Sequence, residues 1–357
     1  MHKSYLIKPA SSLCNMNCKY CFYADVSSIR EISNYGIMSE ETVDCIIKQA
    51  LEISDEITFA FQGGEPTMAG IDYFKKFVAR VNFLKQNQKI HYSIQTNGLL
   101  INDEWIELFK SNHFLVGLSI DGYKNNHDSI RIQGYNGTFD RIMKTLKLLQ
   151  NASIDYNVLT VLTNELAKHP KTLYEFYKKN HIKYVQIIPC LPEISQNNGK
   201  YSLTPKNYYL FFITLFKLWK KDLESGKYIS ISLFDQLVSI FSNKMPSMCG
   251  MLGKCQIQNI IEANGNVYPC DFYCVDEYLM GNVHEMKMNE MVCKHFFNSE
   301  KRVCQLCGRC KFRKICNGNC KRMNVTYFTK TYCGYQQFLE ETYKDFYMIT
   351  NFNRGML

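Results

Sequence analysis

A chain of 357 residues is long enough to bury a large core, and one large domain with one small one is the natural expectation. Its 46% apolar and 21% charged residues are ordinary for a globular protein, and its apolar stretches are short and charge-bounded, which excludes a membrane-spanning helix. The formal net charge of +9 is moderate: no run of Lys and Arg interleaved with aromatics marks a nucleic-acid groove, whereas an anionic small molecule or an acidic peptide suits it.

The N-terminus, MHKSYLIKPASS, carries no long apolar segment and no cleavage-site pattern, so no signal peptide is expected. The expected compartment is the cytoplasm, which keeps thiols reduced. Sixteen cysteines there point to metal ligation rather than to disulfides.

Up to about residue 200, two patterns alternate. Short apolar runs read as buried parallel strands: YLIKPA, ITFAFQGG, IHYSIQTN, FLVGLSIDG, YNVLTVLT and YVQIIPCL. Helical segments lie between them. Ser39 is a good N-cap, and Val43, Ile46, Ile47, Ala50 and Leu51 follow at helical spacing. Six strand–helix alternations imply a parallel sheet with right-handed crossovers. Glycine and polar residues cluster after the strand ends, where such sheets bind ligands.

Residues 201–247 read as a helical linker, with TPKNYYLFFITLFKLWKKDLESG as one long amphipathic helix and ISLFDQLVSIFSNK as another. From 248 to 335 cysteines dominate a loop-rich segment that needs staples to hold it together. Residues 336–357, with GYQQFLEETYKDFYMI, read as a closing helix.

LCNMNCKYCFY spaces Cys14, Cys18 and Cys21 as C-x3-C-x2-C. Three closely spaced thiols on one loop point to a metal centre. A zinc loop with a distant fourth ligand is the competing reading; no H-x3–5-H pair supports it.

With Tyr20 before its last cysteine, this loop resembles the radical S-adenosylmethionine family. The resemblance implies a partial (β/α)6 TIM-like barrel and a [4Fe-4S] cluster whose open iron takes the amino and carboxylate groups of S-adenosylmethionine. FQGGEP, one β-α unit later, is similar to the family's GGE segment, where main chain at Gly63 and Gly64 receives the methionine amino group. By the same resemblance Ser119 in GLSIDG and Arg131 in HDSIR hold the carboxylate and ribose, and Leu191 in PCLPEI contacts the adenine.

CQIQNIIEANGNVYPC (Cys255 to Cys270), CGRCKFRKICNGNC (Cys307, Cys310, Cys316, Cys320) and Cys333 resemble the SPASM domain, which carries two auxiliary [4Fe-4S] clusters. Cys249 supplies an eighth thiolate. The family partition implies one cluster on Cys249, Cys255, Cys270 and Cys320 and a second on Cys307, Cys310, Cys316 and Cys333, three clusters in all. Cys304 stands at C-x2-C spacing before Cys307 and is a rival ligand; Cys45, Cys190, Cys274 and Cys293 are left over.

YPCDFYC places Asp271 directly after Cys270. This segment, with IKPASS, YGIMS, FAFQGGEP, SIQTNG and FLVGLSIDG, resembles the anaerobic sulfatase-maturating enzymes from end to end. The resemblance implies oxidation of a Cys or Ser in an unfolded sulfatase segment to Cα-formylglycine by a 5′-deoxyadenosyl radical. Asp271 would be the general base, and Gln62 and Gln95 to Asn97 would face the same cavity. The implied partners are that peptide and an electron donor such as flavodoxin or ferredoxin. The first strand starts near residue 5, so no leader-binding domain of the kind found in ribosomal-peptide maturases is expected. Such a maturase, forming a thioether, another crosslink or an inverted centre, is the alternative. A zinc-dependent binding module on an α/β scaffold is the non-enzymatic one.

Overall fold

The computed structural model describes residues 2–194 and 199–354; residue 1, residues 195–198 at the end of the expected barrel segment and residues 355–357 of the expected closing helix lie outside the described residues. The first elements are β1 (His2–Ile7), α1 (Phe22–Ser28), α2 (Glu40–Ile53), β2 (Glu56–Phe61), α3 (Ile71–Leu84), β3 (Lys89–Thr96), α4 (Asp103–Ser111) and β4 (Phe114–Ser119). Next come α5 (Lys124–Ile130), a hairpin of β5 (Ile132–Gln133) and β6 (Asn136–Gly137), α6 (Phe139–Asn151), β7 (Tyr156–Leu162), α7 (Pro170–Lys179) and β8 (Tyr184–Pro189). Then follow α8 (Pro205–Glu224), β9 (Ser230–Ile231) and α9 (Ser232–Phe241). The cysteine-rich part adds β10 (Ile260–Ile261), β11 (Asn266–Tyr268), β12 (Gly281–Asn282), α10 (Lys294–Asn298), α11 (Arg313–Cys316) and α12 (Gly334–Arg354).

All six apolar runs form strands, and the α/β class with a parallel sheet is observed. The chain folds as two compact units. The first comprises Met1–Ile120, His127–Asn157 and Ile257–Ser299. Its strands run in the order β12-β11-β10-β1-β2-β3-β4, with β1 to β4 parallel. Their register lines up Tyr5, Phe59, Tyr92 and Phe114 across four strands, all buried, with ring centroids 6.4, 6.3 and 5.0 Å apart. Such cross-strand aromatic pairs hold both register and core.

The helices form where their caps and apolar faces require. The Ser39 hydroxyl accepts from Thr42 N at 3.1 Å, and Val43, Ile46, Ile47 and Ala50 of α2 are buried as their spacing predicts. The strands depart from expectation in one respect. Their apolar runs read as buried strands, but burial in β2 and β3 alternates: Phe59, Phe61 and Ile94 are buried, whereas Ala60, Ser93 and Gln95 are only half-buried. One face of this sheet is packed and the other is left partly open, which gives polar side chains room to work.

The short hairpin β10–β11 was not anticipated. It turns at Gly265 (φ 87°) and lays β10 parallel to β1, pairing Leu6 with Ile260. Strands of two and three residues are too short to show a period of two.

The second unit comprises Asp121–Asn126, Val158–Gln256 and Glu300–Leu357. Its strands β7, β8 and β9 are parallel. The two helices expected between residues 201 and 247 are α8 and α9, and the closing helix is α12. These three pack through Phe212, Phe216, Trp219, Phe234, Phe338 and Phe346, all buried. Among the described residues no helix is long and apolar enough to cross a membrane.

Candidate active site

Within the first unit the chain leaves β1 at Ile7 and enters the Cys14–Cys21 loop. A segment more than a hundred residues away fixes that loop. Asn17 N donates to Ile132 O at 2.8 Å, Lys19 N donates to Ile130 O at 3.1 Å, and Gln133 Nε2 donates to Asn15 O at 3.0 Å. These bonds flank Arg131, which is buried and donates from Nη1 to the Tyr20 hydroxyl at 2.8 Å. The structure therefore brings Tyr20 and Arg131 together at the three-cysteine loop. Cys14 is exposed, Cys18 and Cys21 are half-buried, and none of the three is in a disulfide.

Gly64 is pinned beside the start of the same loop. Its N donates to Ser11 O at 2.9 Å, and Glu65 N donates to Leu13 O at 2.7 Å. A Cβ on Gly64 would lie 2.3 Å from Leu13 O, so only glycine permits this approach. Glu65, which sequence reasoning left without a role, anchors the turn. Its buried carboxylate accepts from Thr67 N, Thr67 Oγ1, Thr96 Oγ1 and Asn97 N. Burial pushes its pKa above the usual carboxylate range against those four bonds. Asn97 in turn donates to Asn15 Oδ1 at 2.8 Å, and Gln95 donates to Ser119 Oγ at 3.1 Å. Leu191 lies in the second unit, half-buried, just after β8.

Asp271 opens a short 3-10 turn after half-buried Cys270. It is buried, and Oδ2 accepts from the Tyr23 hydroxyl at 2.6 Å and from Gln62 Nε2 at 3.2 Å. Oδ1 faces Lys8 Nζ at 3.2 Å. The same ammonium lies 3.3 Å from Glu262 Oε1, which also takes Arg30 Nη1 at 2.6 Å. Lys8 is 2% exposed and Glu262 0%, so this chain of charges is fully inside the unit. Burial works against the Lys8 ammonium, but Cys274, Asp271 and Glu262 outweigh it and hold its pKa above the ordinary lysine value. Burial also works against the Glu262 carboxylate, and Lys8 and Arg30 reverse that, holding it below the usual range. Burial and the Asp271 charge push the Tyr23 phenol well above its ordinary value, so it remains a hydrogen donor. Burial pushes the Cys274 thiol up to about 12.

Gln62 was expected in this cavity and sits on Asp271. Lys8, Tyr23, Arg30 and Glu262 were not identified from sequence. A lone charge in an apolar run carries no signal of its own, and the partners are over two hundred residues apart.

In the second unit, Cys307, Cys310, Cys316 and Cys333 line one cavity of about 120 Å³. Burial pushes the Cys316 thiol up to about 11 and Cys333 up to about 12, so loading a metal here must release protons. Among the described residues no three His, Cys, Asp or Glu side chains gather closely enough for a single metal ion. Cys307, Cys310, Cys316 and Cys333 are the residues that could hold a metal group in this cavity. Cys304, the rival ligand, does not line that cavity; its buried thiol donates to Lys330 O at 3.6 Å. Cys304→Ala is accordingly expected to keep the full iron and sulfide content at a cost of about 1 kcal/mol in stability. Cys307→Ala should lose about four irons per chain. Equal iron loss in both variants would return Cys304 to the ligand set.

Cys249, Cys255 and Cys320 also belong to the second unit, and Cys270 to the first. Gly250, at φ 78°, lets the Cys249 loop lie on Cys320, whose Cβ would be 2.7 Å from an added side chain. Lys301 Nζ donates to Gly253 O at 2.8 Å and Asn317 O at 2.6 Å, tying the loop before Cys255 to the turn after Cys316.

Comparison with known proteins agrees with this arrangement. Residues 9–177 match the radical SAM superfamily. The chain is 42% identical over 331 residues to a cysteine-type anaerobic sulfatase-maturating enzyme of Clostridium novyi, covering 89% of this chain and 88% of the relative. It is 29% identical over 341 residues to a serine-type enzyme of Bacteroides thetaiotaomicron, covering 89% and 82%. The solved structure of native anSMEcpe with bound AdoMet and Kp18Cys peptide superposes with a TM-score of 0.90 at 35% identity, covering 98% of this chain and 99% of that one. The chain belongs to the anaerobic sulfatase-maturating enzymes of the radical SAM superfamily.

Proposed function

We infer that this chain oxidises a cysteine in a sulfatase peptide to Cα-formylglycine. The observation that carries the reading is the Asp271 carboxylate, buried directly after Cys270 and held by Tyr23, Gln62 and Lys8. Cys14, Cys18 and Cys21 would hold one [4Fe-4S] cluster, and Tyr20, Gly64, Ser119, Arg131 and Leu191 would contact S-adenosylmethionine. Three cysteines outside any disulfide on one loop, with Gly64 and Arg131 fixed beside them, suit that pair. Cys249, Cys255, Cys270 and Cys320, and Cys307, Cys310, Cys316 and Cys333, would hold two further clusters. When bound, the first cluster and S-adenosylmethionine supply a 5′-deoxyadenosyl radical able to take an unactivated Cβ hydrogen.

The remaining work falls to side chains. Asp271 accepts the S–H proton as the peptide carbon loses its hydrogen atom and one further electron. Tyr23 and Gln62 donate to Oδ2 and fix the carboxylate; Lys8 keeps its charge paired. The thioaldehyde then takes water and releases hydrogen sulfide to leave the aldehyde. The electron that cleaves S-adenosylmethionine would come from a donor such as flavodoxin or ferredoxin. The electron lost by the peptide would leave through one of the two further clusters. A reducing cytoplasm suits sixteen cysteines with no disulfide among them.

Identity of 42% to a cysteine-type relative against 29% to a serine-type one favours cysteine. Reconstituted enzyme, incubated anaerobically with paired peptides differing only at Cys or Ser, is expected to convert the Cys peptide at least about tenfold faster. A serine preference would overturn the cysteine assignment. A bare loss of two hydrogens that keeps the sulfur would mean a crosslink and overturn the reading as a whole.

A further inference from the structure

The chain's positive charge is concentrated in one place. Residues 301–339 carry nine Lys and Arg and no Asp or Glu. The rest of the chain then holds 33 basic residues (42 less 9) against 33 acidic ones, so its formal net charge is zero. The whole +9 of the protein lies in these 39 residues. They also contribute Cys307, Cys310, Cys316 and Cys333, the thiols that line the 120 Å³ cavity.

The structure keeps this charge outward. Arg309, Lys311, Arg313, Lys314 and Lys330 are exposed. Arg309, Lys311, Arg313 and Lys314 fall within the ligand loop itself, and Arg313 lines the cavity. Gln305 N donates to Lys330 O at 2.9 Å, which places Lys330 beside the turn that carries Cys307 and Arg309. Lys311 Nζ stands 4.3 Å from the Tyr343 ring centroid and 5.0 Å from that of Phe312. Some exposed lysines elsewhere pair with carboxylates, as Lys75 does with Glu104, Lys76 with Glu40 and Lys287 with Glu52, whereas others such as Lys110, Lys144 and Lys171 do not among the described residues. Among the described residues, none of these five cations forms an ion pair. Exposed Val303 and Leu306 add apolar contact area.

An exposed basic stretch beside a thiol cavity, with Glu340 as the acid near Cys310 and a few apolar side chains, suits a negatively charged protein surface. The geometry points to this face as the docking surface for an acidic one-electron carrier protein, which meets the chain at the Cys307–Cys333 site. The proposal rests on the formylglycine reading. Oxidation of the bound cysteine releases one hydrogen atom, one proton and one electron. The oxidised carrier gains that electron and becomes its one-electron-reduced form; the proton stays on Asp271.

The test uses the reconstituted full chain and an oxidised bacterial flavodoxin as probe, with affinity measured calorimetrically at low and high salt. Wild type should bind, and binding should fade as ionic strength approaches about 1 M, where screening is complete within about 3 Å. Arg309→Glu/Lys314→Glu/Lys330→Glu should bind at least about tenfold more weakly, and the glutamine version should lie between. Formylglycine formation driven by dithionite should be unchanged in both. A triple variant that binds flavodoxin as wild type does would overturn the proposal. So would wild type that ignores flavodoxin and binds an RNA oligomer or anionic vesicles instead. Affinity is read without turnover, so wild type that binds flavodoxin yet makes no formylglycine with dithionite supports this surface and refutes the activity.

Discussion

Asp271→Asn is expected to lower formylglycine formation by about 10²–10⁴-fold while 5′-deoxyadenosine is still released. The substitution keeps size and shape. Its carbonyl oxygen can still accept from Tyr23, now at 2.6 Å from Oδ2. What it loses is the capacity to take a proton. Hydrogen-atom removal at the peptide carbon does not require that capacity, so S-adenosylmethionine cleavage should proceed and become uncoupled from product. Tyr23→Phe removes one donor and leaves Gln62 and Lys8 in place, so its loss should be smaller, about tenfold or less. The measurement is product and 5′-deoxyadenosine from the same anaerobic reaction by mass spectrometry. If Asp271→Asn makes formylglycine at the wild-type rate, the carboxylate is not the base. If both products fall together, Asp271 acts earlier, in binding.

The parts of this site that announce themselves in the sequence are those whose chemistry fixes local spacing. One loop must present three thiols, so Cys14, Cys18 and Cys21 stand within eight residues. Close backbone approach needs Gly64, and it sits in a GGE turn at a strand end. Short apolar runs placed all six strands, and Ser39 marked a helix start. The parts that stay hidden depend on distant pairing. Lys8 in YLIKPA reads as an ordinary strand-end charge, yet it is 2% exposed because Glu262 and Asp271 come to it from the short β10–β11 hairpin and the turn beyond. That hairpin has too few residues to be seen by periodicity, so its cargo could not be placed. The basic stretch stays hidden for a different reason. A net charge spread over 357 residues looks moderate, and only its confinement to 39 of them makes it unusual.

The hidden network carries the second large expectation. Lys8→Met should destabilise the chain by about 3–5 kcal/mol, read from the denaturant midpoint, because it strands a buried carboxylate rather than removing a contact. Glu262 keeps Arg30 at 2.6 Å, so the group left uncompensated is Asp271. The double variant Lys8→Met/Asp271→Asn removes that orphan charge and should therefore be more stable than Lys8→Met alone, a non-additivity that only direct coupling produces. pH gives an independent check. The Lys8 pKa is raised in the folded chain, so its contribution is fully present below the unfolded lysine value of about 10.4 and is lost as pH rises through the folded value. The Glu262 pKa is lowered, so its contribution is present above about 4.3 and is lost as pH falls through the folded value. Wild-type stability should hold a plateau between these limits and decline on either side. Lys8→Met should abolish Lys8's share of the alkaline decline and keep an acidic one, because Arg30 still faces Glu262. An unchanged alkaline limb in that variant, or strictly additive losses in the double variant, would mean that Lys8 is packed beside the two carboxylates without stabilising either.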